Sequence, residues 1–327
     1  GDNFGWSVSI SGDYAIVGAY VKSGGGAAYI FTRNVDTWSQ QKILGLDTIA
    51  GDQYGSSVSI SGDYAIVGAR DKNGNIGAAY IFTRSGDTWT QQQKIVASDG
   101  VGSDFFGHSA AIDGDYAIVG ASNKGGGTGA TYIFKREGTT WSQVVKLVAD
   151  DPGSSDKFGW SVSISGDYVI SGAPYEGTRG ANAGAAYIYP FEPLLDFDNF
   201  NKLAIHGGIT PTSTELTDPS GTSRSIGTAI DIYITDTGEY DAAIKTSDMF
   251  ALANVSVGTV ISIDVYDYSQ VQTTERKIQA SDKQANDYFG WSVSISGDYA
   301  IVGADHEDDG GTDAGAAYIY KRNASTG

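Results

Sequence analysis

Five near-copies of one phrase confine this chain to a repeat architecture. The first runs from Phe4 to Ala19 as Phe-Gly-Trp-Ser-Val-Ser-Ile-Ser-Gly-Asp-Tyr-Ala-Ile-Val-Gly-Ala. The others open at Tyr54-Gly55, Phe106-Gly107, Phe158-Gly159 and Phe289-Gly290, so the leading glycines lie 50, 52, 52 and 131 residues apart. A period near fifty is one supersecondary unit repeated, each copy burying its apolar face against the next.

Residues 51–97 show what one unit contains. Ser57-Val58-Ser59-Ile60 alternates small polar with β-branched residues, the period of a strand. Gly62-Asp63 is a two-residue hairpin turn, and Tyr64 to Ala69 is apolar on both faces, as an interior strand is. A polar loop, 70–77, leads to a third strand at Ala78 to Arg84. A turn at Ser85-Gly86-Asp87 precedes a fourth strand, Trp89 to Ile95, the most polar and therefore the edge. The first strand is slim and the later ones carry Tyr, Phe and Trp, so the unit is a wedge; wedges around an axis make a β-propeller. Trp38, Trp89 and Trp141 share one position in three fourth strands, where packing between blades is expected.

These residues resemble the FG-GAP repeat, the blade unit of the integrin α-subunit propeller and of many microbial surface proteins. The likeness lies in the Phe-Gly before the first strand and in the Val-Gly-Ala or Ser-Gly-Ala-Pro closing the second, with Gly172-Ala173-Pro174 the literal form. It extends to the third strands at 26–31 and 315–320. The resemblance implies an all-β propeller of four-stranded antiparallel blades and an extracellular or surface location. Calcium-binding copies of the family carry an Asp-x-Asp-x-Asp-Gly loop between the first two strands. Here that loop is Ser-Gly-Asp-Tyr, or Asp113-Gly114-Asp115-Tyr116 in the third copy, too short to wrap a calcium ion. No cofactor is therefore required, and any Ca²⁺ would have to use other carboxylates.

The 131-residue interval divides the chain into blades one to four (1–190), a segment at 191–275, and a last blade at 276–327. One reading makes 191–273 an inserted β-domain, with Glu275-Arg276-Lys277-Ile278 closing blade four. The other, which fits more of the letters, makes the segment a divergent sixth blade. Its fragments would be Ile226 to Ile232 as first strand, Val260 to Tyr266 as third and Arg276-Lys277-Ile278 as fourth, with 199–204 serving blade four. The last copy has no visible outer strand, and an open strand edge invites pairing. It is expected to be capped by another chain or by flanking sequence.

Composition narrows function more than it identifies it. The 327 residues include 45 Gly and only 6 Pro, no Cys, one Met and three His. Thiol chemistry and disulfides are excluded. The net charge of −18 opposes binding to nucleic acid or anionic membranes, and no apolar run approaches the roughly 20 residues that span a bilayer. No nucleophile elbow, zinc-protease motif or phosphate loop occurs. Two glycosylation triplets start at Asn254 and Asn323.

Two acidic patterns stand out. Paired aspartates recur in the turns between blades: Asp47 and Asp52, Asp99 and Asp104, Asp151 and Asp156, Asp282 and Asp287, with Asp2 in the second slot of its copy. Such pairs fix a turn by accepting backbone N–H bonds, or form a ring of cation sites. The loop 305–313 is the densest cluster, and Asp305, Asp308, Asp309 and Asp313 are its metal candidates. The expected function is non-enzymatic: an extracellular or particle-surface binding, adhesion or structural module. Its partner would be a protein, a glycan or another copy of itself, met through the variable loops 20–26, 70–77, 122–129, 174–184 and 305–315. The alternatives are a polysaccharide-active hydrolase or lyase, and a purely architectural subunit of a fibre, filament or viral appendage.

Overall fold

A computed structural model describes residues 1–178, 180–190 and 275–322, together with the backbone of six short strands between them. Arg179, Asn254 and Asn323 lie outside the described residues. The chain forms two compact units, Gly1–Pro190 with Thr274–Gly327, and Phe191–Thr273.

The first unit is a propeller arrangement of five antiparallel meanders. Blade one is Phe4–Ser11, Tyr14–Ala19, Ala27–Asn34 and Thr37–Ile43. Blade two is Tyr54–Ser61, Tyr64–Ala69, Ala78–Ser85 and Thr88–Ile95. Blade three is Phe106–Asp113, Tyr116–Ala121, Ala130–Glu137 and Thr140–Leu147. Blade four is Ser161–Ser165, Tyr168–Ala173, Ala185–Pro190 and Arg276–Ile278, and blade five is Ser292–Ser296, Tyr299–Ala304 and Ala316–Lys321. Strands one and two are joined by the two-residue Gly-Asp turn expected from the sequence. The aspartate of that turn ion-pairs an arginine at the end of the third strand, as in Asp63–Arg84, Asp115–Arg136 and Asp298–Arg322.

The near-identity of the repeated phrase has a steric cause. The inner strands of successive blades approach so closely that a Cβ on Gly68 would sit 2.1 Å from the carbonyl oxygen of Gly107, and one on Gly120 2.0 Å from that of Gly159. The Phe-Gly glycine is constrained twice: Gly55 has φ +91°, and a Cβ there would meet the Ala27 carbonyl at 2.4 Å. The alternating serines stitch the same seam. Ser7 Oγ accepts from Val58 N at 3.0 Å, Ser9 from Ile60 N and Ser59 from Ile112 N at 3.2 Å, and Ser163 from Ile295 N at 3.2 Å. The leading aromatic of each copy packs edge-on against the tyrosine of its own third strand. Tyr54–Tyr80, Phe158–Tyr187 and Phe289–Tyr318 have centroids 5.4 Å apart.

Farther from the axis, Trp89 lies edge-on to Tyr14 of blade one at 5.9 Å, and Trp141 to Tyr64 of blade two at 5.8 Å. Both indoles are buried, whereas Trp38 is 47 % exposed. The inter-blade role expected of all three tryptophans is therefore corrected for Trp38, because among the described residues no tyrosine of a neighbouring blade packs against it.

The strand Arg276–Ile278 corrects a second expectation. It pairs antiparallel with Ala185–Pro190, Ala186 opposite Ile278 and Ile188 opposite Arg276. It therefore closes blade four, across the intervening unit, and is not the fourth strand of a sixth blade. In Phe191–Thr273 the four-stranded sheet runs in the order Leu203–His206, Val260–Asp267, Ile230–Thr235, Ala243–Ile244, with a separate hairpin of Glu215–Thr217 and Ser223–Ser225. That order is not the meander of a blade. The segment around 203 pairs with Val260–Asp267 and does not serve blade four.

Candidate functional site

The rigid frame projects two residue sets toward the loops between second and third strands. One is the position just after the Phe-Gly glycine, which holds Trp6, Ser56, His108, Trp160 and Trp291 in the five copies. The other is the loops themselves, which vary where the frame does not. Across blades three to five the two sets merge into one chain of rings. His108 lies 4.4 Å from Trp160, and Trp160 lies 4.9 Å from Trp291. Tyr175, from the loop of blade four, meets Trp160 at 5.7 Å and Tyr288 at 5.2 Å. Tyr288 continues to His306 at 5.0 Å. Trp160, Tyr175, Tyr288 and Trp291 are all half-buried, each leaving part of a ring toward solvent.

Beside this chain lies a cavity of about 350 Å³ lined by Arg70, Asp71, His108, Asn123, Lys157 and Trp160, among others. Burial, together with the charges of Arg70 and Lys157, depresses the His108 imidazole to about 3, so it is neutral at physiological pH. Its Nδ1 shares a hydrogen bond of 3.1 Å with Ser122 Oγ. Burial lowers the Lys157 ammonium, which donates to Asn123 Oδ1 at 2.5 Å. Burial also raises the Asp71 carboxyl against the pull of Arg70. The Lys157 ammonium, the Arg70 guanidinium with the Asp71 carboxyl 3.6 Å from it, and a neutral imidazole thus line one concave wall. The sequence shows His108 and Trp160 as alternatives at one repeat position. What it did not reveal is that neighbouring blades bring them into contact.

The paired aspartates are turn anchors in the structure. Asp52 accepts from Ile49 N, Asp104 from Val101 N and Asp156 from Gly153 N, each at 2.7 Å, and Asp287 accepts from Gln284 N. The first member of each pair receives the next blade. Asp47 accepts from Tyr80 Oη at 2.6 Å and Lys94 Nζ at 2.7 Å; Asp99 accepts from Tyr132 Oη at 2.7 Å and Lys146 Nζ at 2.6 Å. Burial alone would raise these two carboxyls; the lysine and tyrosine hydrogen bonds reverse it and hold both at about 2. Asp151 is lowered in the same way by Lys277 and Tyr187. In blades two and three the protein's own ammonium occupies the space between the carboxylates. Lys72 lies 2.9 Å from Asp52, and Lys124 lies 2.9 Å from Asp104.

The four candidates of the acidic loop do not converge. Asp305 pairs with His306 Nδ1 at 2.9 Å, and Asp308 Oδ1 accepts from Asp313 N at 2.7 Å. Of the four, only Asp309 joins a cluster among the described residues. Its carboxylate lies with those of Asp282 and Glu307, one oxygen of each within 4.8 Å of the others.

Comparison with known families follows the blades. A model described as FG-GAP repeat matches residues 1–31, 38–82, 89–134, 141–189 and 273–320, more than half of the chain. The chain belongs to the FG-GAP repeat family. A search of curated proteins finds no match. The fourth matched segment stops at residue 189 and the fifth resumes at 273, bracketing the unit that interrupts blade four. An FG-GAP propeller is a binding or structural module, and FG-GAP repeats are typical of extracellular or surface proteins.

Proposed function

We propose that this protein is a non-enzymatic recognition module of a cell or particle surface, and that it binds a glycan through the loop face of blades three to five. The carrying observation is the continuous chain of rings from His108 through the half-buried Trp160, Trp291 and Tyr288 to the exposed His306. Aromatic faces that are apolar yet carry polar tips suit the flat, hydroxyl-edged faces of sugar rings. The adjacent cavity adds Arg70 and Lys157, which favour a sugar bearing a carboxylate or sulfate in an otherwise repulsive field. A convex protein partner is the second reading, favoured by the aromatic and arginine content of the same face.

A glycan array with the full chain tests the reading. Binding to acidic glycans is expected, with an affinity loss of about tenfold or more for Trp160→Ala and for Trp291→Ala. Release of reducing ends from a bound polysaccharide would replace the module with an enzyme. An empty array, with both tryptophan variants neutral toward every ligand tried, would remove the glycan reading.

A further inference from the structure

Three positions recur at the loop end of each blade, and their chemistry changes abruptly between blades three and four. They are the residue after the Phe-Gly glycine, the second residue after the alanine that ends the second strand, and the residue before the next blade's leading aromatic. Blade three fills them with His108, Asn123 and Lys157, and blade four with Trp160, Tyr175 and Tyr288. The two sets are built alike. Lys157 Nζ donates to Asn123 Oδ1 at 2.5 Å, and at the same two positions Tyr288 meets Tyr175 at 5.2 Å. Each set is backed by the first-strand ring of the following blade. His108 lies 4.4 Å from Trp160, and Trp160 lies 4.9 Å from Trp291. One frame therefore presents a polar, cationic set and, one blade along, a wholly aromatic set, with Trp160 shared between them.

The two sets suit different partners. The polar set opens onto the cavity of about 350 Å³, at the small end of the range for ligand sites and enough for one sugar ring. Inside it the Arg70 guanidinium is offset by the Asp71 carboxyl 3.6 Å away, which also accepts from Gln53 Nε2. Lys157, by contrast, is bonded to an uncharged amide. Its ammonium is the charge left for a ligand to neutralise, and it is half-buried, where water screens an ion pair less. The aromatic set offers ring faces and hydroxyl tips, which suit an uncharged sugar. At its far end His306 is already paired with Asp305 at 2.9 Å.

We propose that the two sets are adjacent subsites for a glycan of mixed charge. The cavity of blade three takes a sugar bearing one negative charge, and Trp160, Tyr175 and Tyr288 take the uncharged sugar joined to it. The proposal rests on the glycan reading of this face and adds the order of the sugars, an acidic ring beside a neutral one. Lys157 pairs with the carboxylate or sulfate ester, and Trp160 lies under the linkage. An all-acidic chain would press a second anion against the aromatic set, and an all-neutral chain would leave the ammonium in the cavity without a counter-ion.

Calorimetric titration of the full chain with defined octasaccharides tests this. The alternating acidic probes are hyaluronan, in which glucuronate alternates with N-acetylglucosamine, and a keratan sulfated only on its N-acetylglucosamine. The controls are the hyaluronan octasaccharide with its carboxylates reduced to alcohols and an all-uronate oligogalacturonate. At least one alternating probe is expected to bind about tenfold or more tightly than both controls, and the tighter of the two names the anion as carboxylate or sulfate. Lys157→Gln should remove most of the preference of that probe over the reduced one. The triple variant His108→Trp, Asn123→Tyr, Lys157→Tyr writes the residues of blade four into the same frame, and should favour the reduced probe over the acidic one. A preference that Lys157→Gln leaves intact overturns the proposal, whatever the triple variant does. Equal binding of controls and alternating probes, still weakened by Trp291→Ala, overturns the order of sugars and leaves the glycan reading standing. Absence of binding to all four probes and to a glycan array overturns both.

Discussion

Blade two and blade five are written in nearly the same letters and lie in opposite surroundings. Ile66 is fully buried, and its counterpart Ile301 is 42 % exposed. Blade one shows the same contrast at the other end of the series: Val58 of blade two is 5 % exposed and Val8 is 65 % exposed. A repeat of this kind carries half of each interface on either face, so burial is decided by the neighbour and not by the residue. Identical strands should therefore differ in energetic weight according to their place in the series.

Tryptophan truncation should break that comparison most visibly. Trp141→Ala removes a buried indole and its edge contact with Tyr64, and should cost about 3–5 kcal/mol in chemical denaturation. Trp38→Ala, at the same repeat position but half-exposed, should cost under about 1 kcal/mol. Equal losses would show that blade one is covered in solution. The inner glycines come next. Gly120→Ala forces a Cβ against the Gly159 carbonyl and should destabilise by about 1–3 kcal/mol or more. Gly303→Ala meets only its own blade, Ser292 Oγ at 2.5 Å and more distant Ser292 atoms, and a rotamer change of that serine should leave the cost well below that of Gly120→Ala.

A smaller effect concerns pH. The folded-state carboxyls of Asp47 and Asp99 lie at about 2, below their unfolded value of 3.8. A depressed carboxyl stabilises the fold above the unfolded value and loses that contribution as pH falls through the folded one. Stability should accordingly decline between about pH 4 and pH 2. Lys146→Met should flatten that decline in part, because it removes the ammonium that holds Asp99 down. Both aspartates are substantially exposed, so salt should weaken the effect. The smallest difference is expected for Ile66→Val against Ile301→Val. The buried site should lose about 0.5–1.5 kcal/mol, and the exposed one should lose less.

Most of the fold was legible because its determinants are local. Alternating Ser and β-branched residues specify the first strand, Gly-Asp its hairpin, and the taper of side-chain size the wedge. The Asp pairs were legible as turn devices for the same reason. Their lysine partners were not, because Lys94 reaches Asp47 from the next blade. The aromatic chain was hidden for a related reason. His108, Trp160 and Trp291 are separated by 52 and 131 residues and meet only because successive first strands stand side by side.

The sequence by itself determined the repeat unit, its four-strand plan, and the glycines that let blades close on one another. These follow from backbone conformation and side-chain periodicity within about fifty residues. Tertiary structure alone decided that Arg276–Ile278 returns to blade four and that three carboxylates gather at the edge of blade five. Loop-closure entropy rises only slowly with length. A strand about 85 residues away can therefore complete a sheet for about 3 kcal/mol more closure entropy than a two-residue turn, a cost its packing can offset, and sequence distance carries no signal of which sheet that is.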